Sequence, residues 1–230
     1  MQRLRRLRRN ELNVLLGTAS FAAGTLLLGA GILTVRSARG ARELPLAAIP
    51  LLFSIQQLVE GVVWMTFRYE APLLNAAMTH AYSFFSHVLW PVYVPVAVLL
   101  IEPPGWRRAT LWGLSVAGAA VAAYLMYTLM VFPVVSRAIG QHIEYVSPHF
   151  FAAAVMSVYL LSTAISPMVS THRWVKIFGV LAAASFAAAY YFYARWFISV
   201  WCLFAAVLSL VLCAHLTSKT RRTEASAATS

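Results

Sequence analysis

The chain has 230 residues, of which 61% are hydrophobic and only 11% charged. A soluble domain carries about 25% charged residues, so these proportions exclude an ordinary water-soluble globule. The net charge of +11 comes from 16 Arg and two Lys against seven Glu and no Asp, and these basic residues lie in tails and short connections. Anionic headgroups and topology selection account for them there, so nucleic acid is not an expected partner.

The first ten residues, MQRLRRLRRN, are a basic tail. The apolar run behind them is too long for a signal peptide and lacks a small-residue cleavage site, so it reads as a first transmembrane helix. A spanning helix needs ~20 mostly apolar residues. Seven stretches qualify, at 13–35, 45–67, 76–101, 109–132, 148–168, 175–194 and 197–216. The breaks carry charge, glycine or proline: VRSARGARE (35–43), RYEAP (68–72), EPPGWRR (102–108), SRAIGQHIEYVSP (136–148), SPMVSTHR (166–173) and YARW (193–196). The two prolines of EPPGWRR lack the N–H groups a helix needs. The expected organisation is a basic tail (1–12), a seven-helix transmembrane domain (13–216) and a disordered polar tail (217–230). The fold class is all-α, a polytopic integral membrane protein.

Seven helices put the termini on opposite sides, here called side A (N-terminal) and side B. Side B receives ten basic residues, whereas the side A connections receive only Arg68, Arg137 and Arg195. The positive-inside rule then favours a plasma-membrane protein with the loops after helices 1, 3 and 5 and the C-terminus in the cytoplasm. The basic N-terminal tail argues the other way. Trp64, Tyr69, Tyr82, Tyr127, Tyr193 and Trp196 fall near side A and Trp106, Trp112 and Trp174 near side B, as interface residues do. TLLLGAGIL and VAGAAVAAYL are rich in Gly and Ala, which allows close helix–helix approach.

Glu60 alone among the seven Glu falls inside a span, in LLFSIQQLVEGVVW. An ionised carboxylate at the bilayer centre costs at least ~2.5–3.5 kcal/mol, so intramembrane acids mark functional sites by default. Gln56 and Glu60 are i,i+4, and Gln57, Glu60 and Trp64 are i,i+3,i+7, which shares one broad helix face. Helix direction brings His80, His87, His142, His149, Arg195 and Cys202 to the same membrane half. The expectation is a polar vestibule on side A that binds a small solute, cation or proton. Glu60, Gln56, Gln57 and His87 form its centre, and Arg195, His142 and His149 its rim. In HVLWPVYVP (87–95), Pro91 and Pro95 remove helix hydrogen bonds and free carbonyls beside His87 that would line a cavity.

A membrane-embedded metal- or haem-dependent enzyme is the alternative. His87, Glu60 and Cys202 are its candidate ligands, because His, carboxylate and thiolate all bind metals. HExxH, CxxC and HxxxH signatures are absent. Retinal binding needs an intrahelical lysine, and Lys176 sits at a helix end. A structural or assembly subunit of a larger complex is the third class, with the polar cluster as interhelical glue.

The segments PLAAIPLLFSIQQLVEGVVW, FFSHVLWPVYVPVAVLLIEP and FISVWCLFAA resemble an uncharacterised family of small bacterial polytopic membrane proteins, a domain of unknown function. The likeness runs from about Ser20 to about His215. It implies the seven-helix architecture and no activity. A Cys-Phe-Ser-Ala-like stretch opens members of that family, and LLGTASF stands in its place here, so no role of a terminal cysteine carries over.

Overall fold

The computed structural model describes residues 2–147, 149–150, 152–193 and 196–228, with side chains placed between residues 11 and 214. Helix α1 covers Gln2–Arg36, and a short α2 (Leu44–Ala47) leads into α3 (Ile49–Tyr69). The third span is α4 (Pro72–Ser83), a π-helical segment Phe84–Leu89 and α5 (Trp90–Ile101). The fourth is α6 (Trp106–Val131). A β-hairpin follows, with strands β1 (Val135–Ile139) and β2 (His142–Val146). The fifth helical element joins α7 (Ala153–Leu160), a second π-segment Leu161–Ile165 and α8 (Ser166–Val169). Helices α9 (Arg173–Tyr193) and α10 (Phe197–Ala228) complete the chain.

Six helices are long and apolar enough to cross a membrane: Glu11–Arg36, Leu44–Tyr69, Pro72–Ile101, Trp106–Val131, Arg173–Tyr193 and Phe197–Ala214. The protein is therefore an all-α chain with multi-pass membrane helices. Helical backbone continues outside these apolar parts, from Gln2 into the basic tail and onward to Ala228 in the polar one.

The fifth element departs from expectation. Its helix starts at Ala153 and ends at Val169. Seventeen residues at 1.5 Å each reach ~25 Å, short of a ~30 Å hydrocarbon core. The hairpin makes up the difference. Sequence reading treats 136–148 as a surface connection, whereas Ile143, Tyr145, Ser147 and Phe150 are all buried. Ser147 meets His87 near the middle of the Pro72–Ile101 span. Non-helical backbone at that depth is tolerated only where protein surrounds it. Val135 pairs with Val146 and Ile139 with His142, in antiparallel register. Gly140, at φ +61°, supplies the left-handed first position of the two-residue Gly140–Gln141 turn. Thr79 Oγ1 donates to Ser136 Oγ (2.8 Å), which donates to Asn75 Oδ1 (3.1 Å), pinning β1 to α4.

Glycine governs the tightest helix contacts. Gly24 and Gly31 let α1 lie on α3, where an added Cβ would come within 2.8 Å of Leu58 and 2.7 Å of Leu51. Gly118 of α6 lies against the carbonyl of Pro91. The two Gly/Ala-rich segments thus act as the sequence predicts, bringing backbones together.

Both π-segments precede a proline and share one logic. In the first, the N–H of Trp90 bonds the carbonyl of Phe85, five residues back. The next bond in that register would run from residue 91 to Ser86, but Pro91 has no N–H. Tyr159 Oη donates to the orphaned Ser86 carbonyl instead. In the second, the N–H of Ser166 bonds Leu161, and Pro167 leaves the Ser162 carbonyl open. Ser166 Oγ donates to it. The freed carbonyls expected to line a cavity beside His87 are therefore filled from within the protein. The π register moves the gap to Ser86, and the Pro91 carbonyl is covered by Gly118.

At side B, Glu102 is buried in the connection after α5. It accepts from Ser170 Oγ (2.9 Å) and from the N–H of Thr171 (3.0 Å), tying that connection to the one after α8. Composition alone places Glu102 in a loop and gives no sign of this brace.

Candidate functional site

Helix α3 turns one face toward α1 and α10, and that face carries Gln57, Glu60 and Trp64 at the i,i+3,i+7 spacing. These residues line a cavity of about 340 Å³. Leu16, Ala19, Ser20 and Ala23 of α1 form one wall, and Ser199, Val200, Leu203 and Phe204 of α10 another. The hairpin tip, Gln141 and His142, and Tyr193 complete the lining. The small side chains Ala19, Ser20 and Ala23 create the space, because larger ones would fill it.

Glu60 is only 4% exposed. Ser199 Oγ donates to its Oε1 at 2.5 Å. Gln57 is 1% exposed; its amide lies beside the Glu60 carboxylate but outside good hydrogen-bond geometry, and Nε2 has no other partner. A buried donor without a full hydrogen bond costs ~1–3 kcal/mol, so this amide retains binding capacity. No Lys or Arg among the described residues lines the cavity.

Gln56 turns away from this space. Its Oε1 accepts from Trp90 Nε1 (2.7 Å), and Cys202 and Tyr82 are its neighbours. His87 is also elsewhere. It is fully buried, with Nδ1 bonded to Ser86 Oγ (2.8 Å) and Nε2 to Ser147 Oγ (2.9 Å). Phe150 packs on its ring, at 4.7 Å between centroids. Nε2 thus anchors the end of the hairpin, and Nδ1 is held by the neighbouring residue of its own helix. Tyr82 and Tyr145, stacked at 4.3 Å, lie within electrostatic range of Glu60, and Tyr145 is two residues from Ser147. Inserted hairpin therefore occupies the interior between Glu60 and His87.

The remaining rim candidates separate. His142 borders the cavity, 4.9 Å from the Trp196 ring and 5.4 Å from Tyr193. His149 packs on Phe132 at 4.2 Å and does not line the cavity. Nδ1 of exposed His80 donates to the Ala76 carbonyl (2.8 Å). Arg195 lies outside the described residues. Trp64 and Tyr82, assigned to the interface belt by position, are buried at 4% and 0%. Tyr69, Tyr127, Trp106 and Trp112 do point outward, as belt residues should.

The three metal candidates do not form a ligand set. No cluster of three His, Cys, Asp or Glu is found among the described residues. The void beside Cys202 measures about 20 Å³, room for one water molecule.

The α3 face is legible in the sequence and its complement is not. Ser199 stands in the sequence as a single hydroxyl in an apolar run, with nothing to mark Glu60 as its partner. The α1 wall gave no signal, since small apolar residues suit lipid contact equally well.

His142 lies outside the spans, and burial lowers its pKa from the usual 6.5. A lowered imidazole pKa means the neutral ring is the one that packs. Its stabilising contribution is present above 6.5 and is lost as pH falls through the lowered folded value. The groups around it are Gln141, Tyr193, Trp196, Glu60 across the cavity and Glu144 on the same strand face. Acidification through the lowered folded pKa is expected to loosen the hairpin tip, read as smaller amide-exchange protection factors at residues 139–143, with rates corrected for the intrinsic pH dependence of exchange. His142→Gln is expected to remove that acid sensitivity; protection factors that do not change with pH in the unaltered protein would contradict the assignment.

Apolar spans, a re-entrant hairpin and an intramembrane carboxylate at a cavity define a polytopic α-helical membrane protein with an internal polar site. Residues 15–229 match a family of unknown function, DUF6629, and the chain belongs to that family. No curated protein matches the chain, and no solved structure does.

Proposed function

We propose that the protein binds a small cationic solute or a proton in a membrane-embedded vestibule, as a binding or transport protein, with Glu60 as the responding group. One observation carries this reading: Glu60 faces a cavity of about 340 Å³ with Ser199 as its hydrogen-bond donor and no described Lys or Arg in the lining. A carboxylate taken out of water needs a cation or a proton to offset its desolvation. Gln57 and His142 contribute the other polar walls. His87 and Gln56, bonded to Ser147 and Trp90, act as architecture. With the more basic side B loops in the cytoplasm of a plasma membrane, the vestibule faces outward.

Carbodiimide labelling tests this reading, because these reagents modify protonated carboxyls in apolar sites. Purified protein treated with dicyclohexylcarbodiimide is expected to carry the adduct at Glu60 by peptide mass spectrometry. Labelling is expected to fall as pH rises and as guanidinium or sodium is added. A Glu60 that stays inert, or one whose labelling ignores pH and every cation, would overturn it.

A further inference from the structure

The cavity has a polar end, aromatic walls and a lipid-facing side. Glu60 and, beside it, the Gln57 amide, whose Nε2 makes no well-formed hydrogen bond, sit at the polar end. The rings of Trp64, His142 and Tyr193 flank them. Leu203 and Phe204 of α10 line the cavity and are 41% and 37% exposed overall. Ala19 of α1, across the gap, is exposed as well. The cavity therefore reaches the bilayer sideways between α1 and α10.

From this juxtaposition we infer that the site takes an amphiphilic ammonium compound, entering from the bilayer between α1 and α10. The ammonium group sits at Glu60 with its apolar tail lying along Leu16, Leu203 and Phe204. This rests on the vestibule reading above and names the ligand class for the same site. Each part of the ligand answers a feature of the lining. The carboxylate attracts an ammonium and repels heads of net negative charge, such as a sulfate or carboxylate with no amine. Aromatic faces hold a desolvated ammonium through their quadrupoles. Gln57 Nε2 donates to an acceptor next to the amine, such as a hydroxyl or an ester oxygen. A hydrated inorganic ion leaves the apolar walls unused, whereas a tailed cation covers them.

The ammonium head has two sources, a free amine and an aminophospholipid of the surrounding bilayer. Both fit the geometry, and the experiment separates them. Protein in dodecyl maltoside, which is uncharged and lacks an amine, is labelled with dicyclohexylcarbodiimide in the presence of decylammonium, decyl sulfate or decanol. Decylammonium is expected to reduce Glu60 labelling at least tenfold at a concentration where the other two have no effect. Butylammonium is expected to need at least tenfold more. Decylammonium is also expected to quench tryptophan fluorescence, with weaker affinity in Glu60→Gln, which keeps a Ser199 partner, and in Leu203→Trp, which narrows the gap. Protection by phosphatidylethanolamine in mixed micelles assigns the head to a lipid; protection by decylammonium alone assigns it to a free amine. Equal protection by decyl sulfate or decanol would overturn the inference. So would normal labelling that sodium or guanidinium suppresses and decylammonium does not, and this result leaves the vestibule reading standing. No labelling under any condition removes both.

Discussion

Gly118→Val is expected to destabilise the protein by about 3 kcal/mol, lowering the midpoint of thermal unfolding in detergent by roughly 6–12 °C. Even a methyl group on Gly118 would lie 1.9 Å from the Pro91 carbonyl oxygen and 3.1 Å from Ser162 Oγ. The first contact is with backbone, which cannot rotate aside. Pro95 removes the ordinary helical partner of that carbonyl, so the Cα–H of Gly118 is its nearest cover. Pushing α6 away would expose the carbonyl and separate α6 from both α5 and the second π-segment. Gly29 is the internal control. It lies in a similar Gly/Ala-rich stretch, but nothing approaches a Cβ built there within 4 Å. Gly29→Val is expected to leave the midpoint within about 2 °C, since surface changes rarely exceed ±0.5 kcal/mol. Equal behaviour of the two variants would contradict the packing argument.

The second large effect concerns Tyr159. Tyr159→Phe removes the hydroxyl that donates to the Ser86 carbonyl, and a buried acceptor left open costs ~1–3 kcal/mol. The loss should depend on proline. Pro91→Ala restores an N–H at position 91, and that N–H supplies the missing donor. Tyr159→Phe is then expected to cost about 1 kcal/mol less in the Pro91→Ala background than alone, a coupling measurable in a double-mutant cycle. Strict additivity would show that the π register and the tyrosine are unrelated.

Much of this architecture is legible in the sequence because bilayer thickness imposes helix length. Six of the seven expected stretches coincide with long apolar helices, and the breaks fall at the prolines and charges that demand them. The break at YARW is matched by separate helices ending at Tyr193 and starting at Phe197. What the sequence concealed is the inward use of ambiguous residues. A Tyr or Trp near a span end looks the same whether it meets headgroups or a neighbouring helix. Tyr82 and Trp64 were placed outside on that ground, and the hairpin and α10 hold them inside. The hairpin did have a signature, since VVSRAI and HIEYV are β-branched-rich runs separated by Gly-Gln. It was masked by the expectation that charged connections stay at the surface. Arg137 and Glu144 stand opposite one another across the hairpin. Their side of the sheet is thus distinct from that of Tyr145.

For the site, the i,i+3,i+7 spacing puts Gln57, Glu60 and Trp64 on one face, and all three line the cavity. The i,i+4 spacing of Gln56 from Glu60 does not bring Gln56 into it, because a helix face says which residues neighbour one another and not which partner each will choose. Trp90 claims Gln56 across the bundle. Depth matching erred for His87 in the same way. Residues on two helices can share a level while a third element lies between them, and here that element is β2.

The short fifth element bears on how the chain enters the bilayer during synthesis. A segment recognised by the insertion machinery needs a continuous apolar run, and Ala153–Val169 follows a hairpin that carries Arg137 and Glu144. The hairpin's non-helical backbone depends on helices already in place, above all the third span, whose His87 and Ser86 receive Ser147 and Tyr159. The expected order of assembly follows: the earlier spans form a receptacle, and the hairpin and its short helix dock into it. A fault in that receptacle is then expected to appear as an undocked, protease-accessible hairpin rather than as loss of the whole chain.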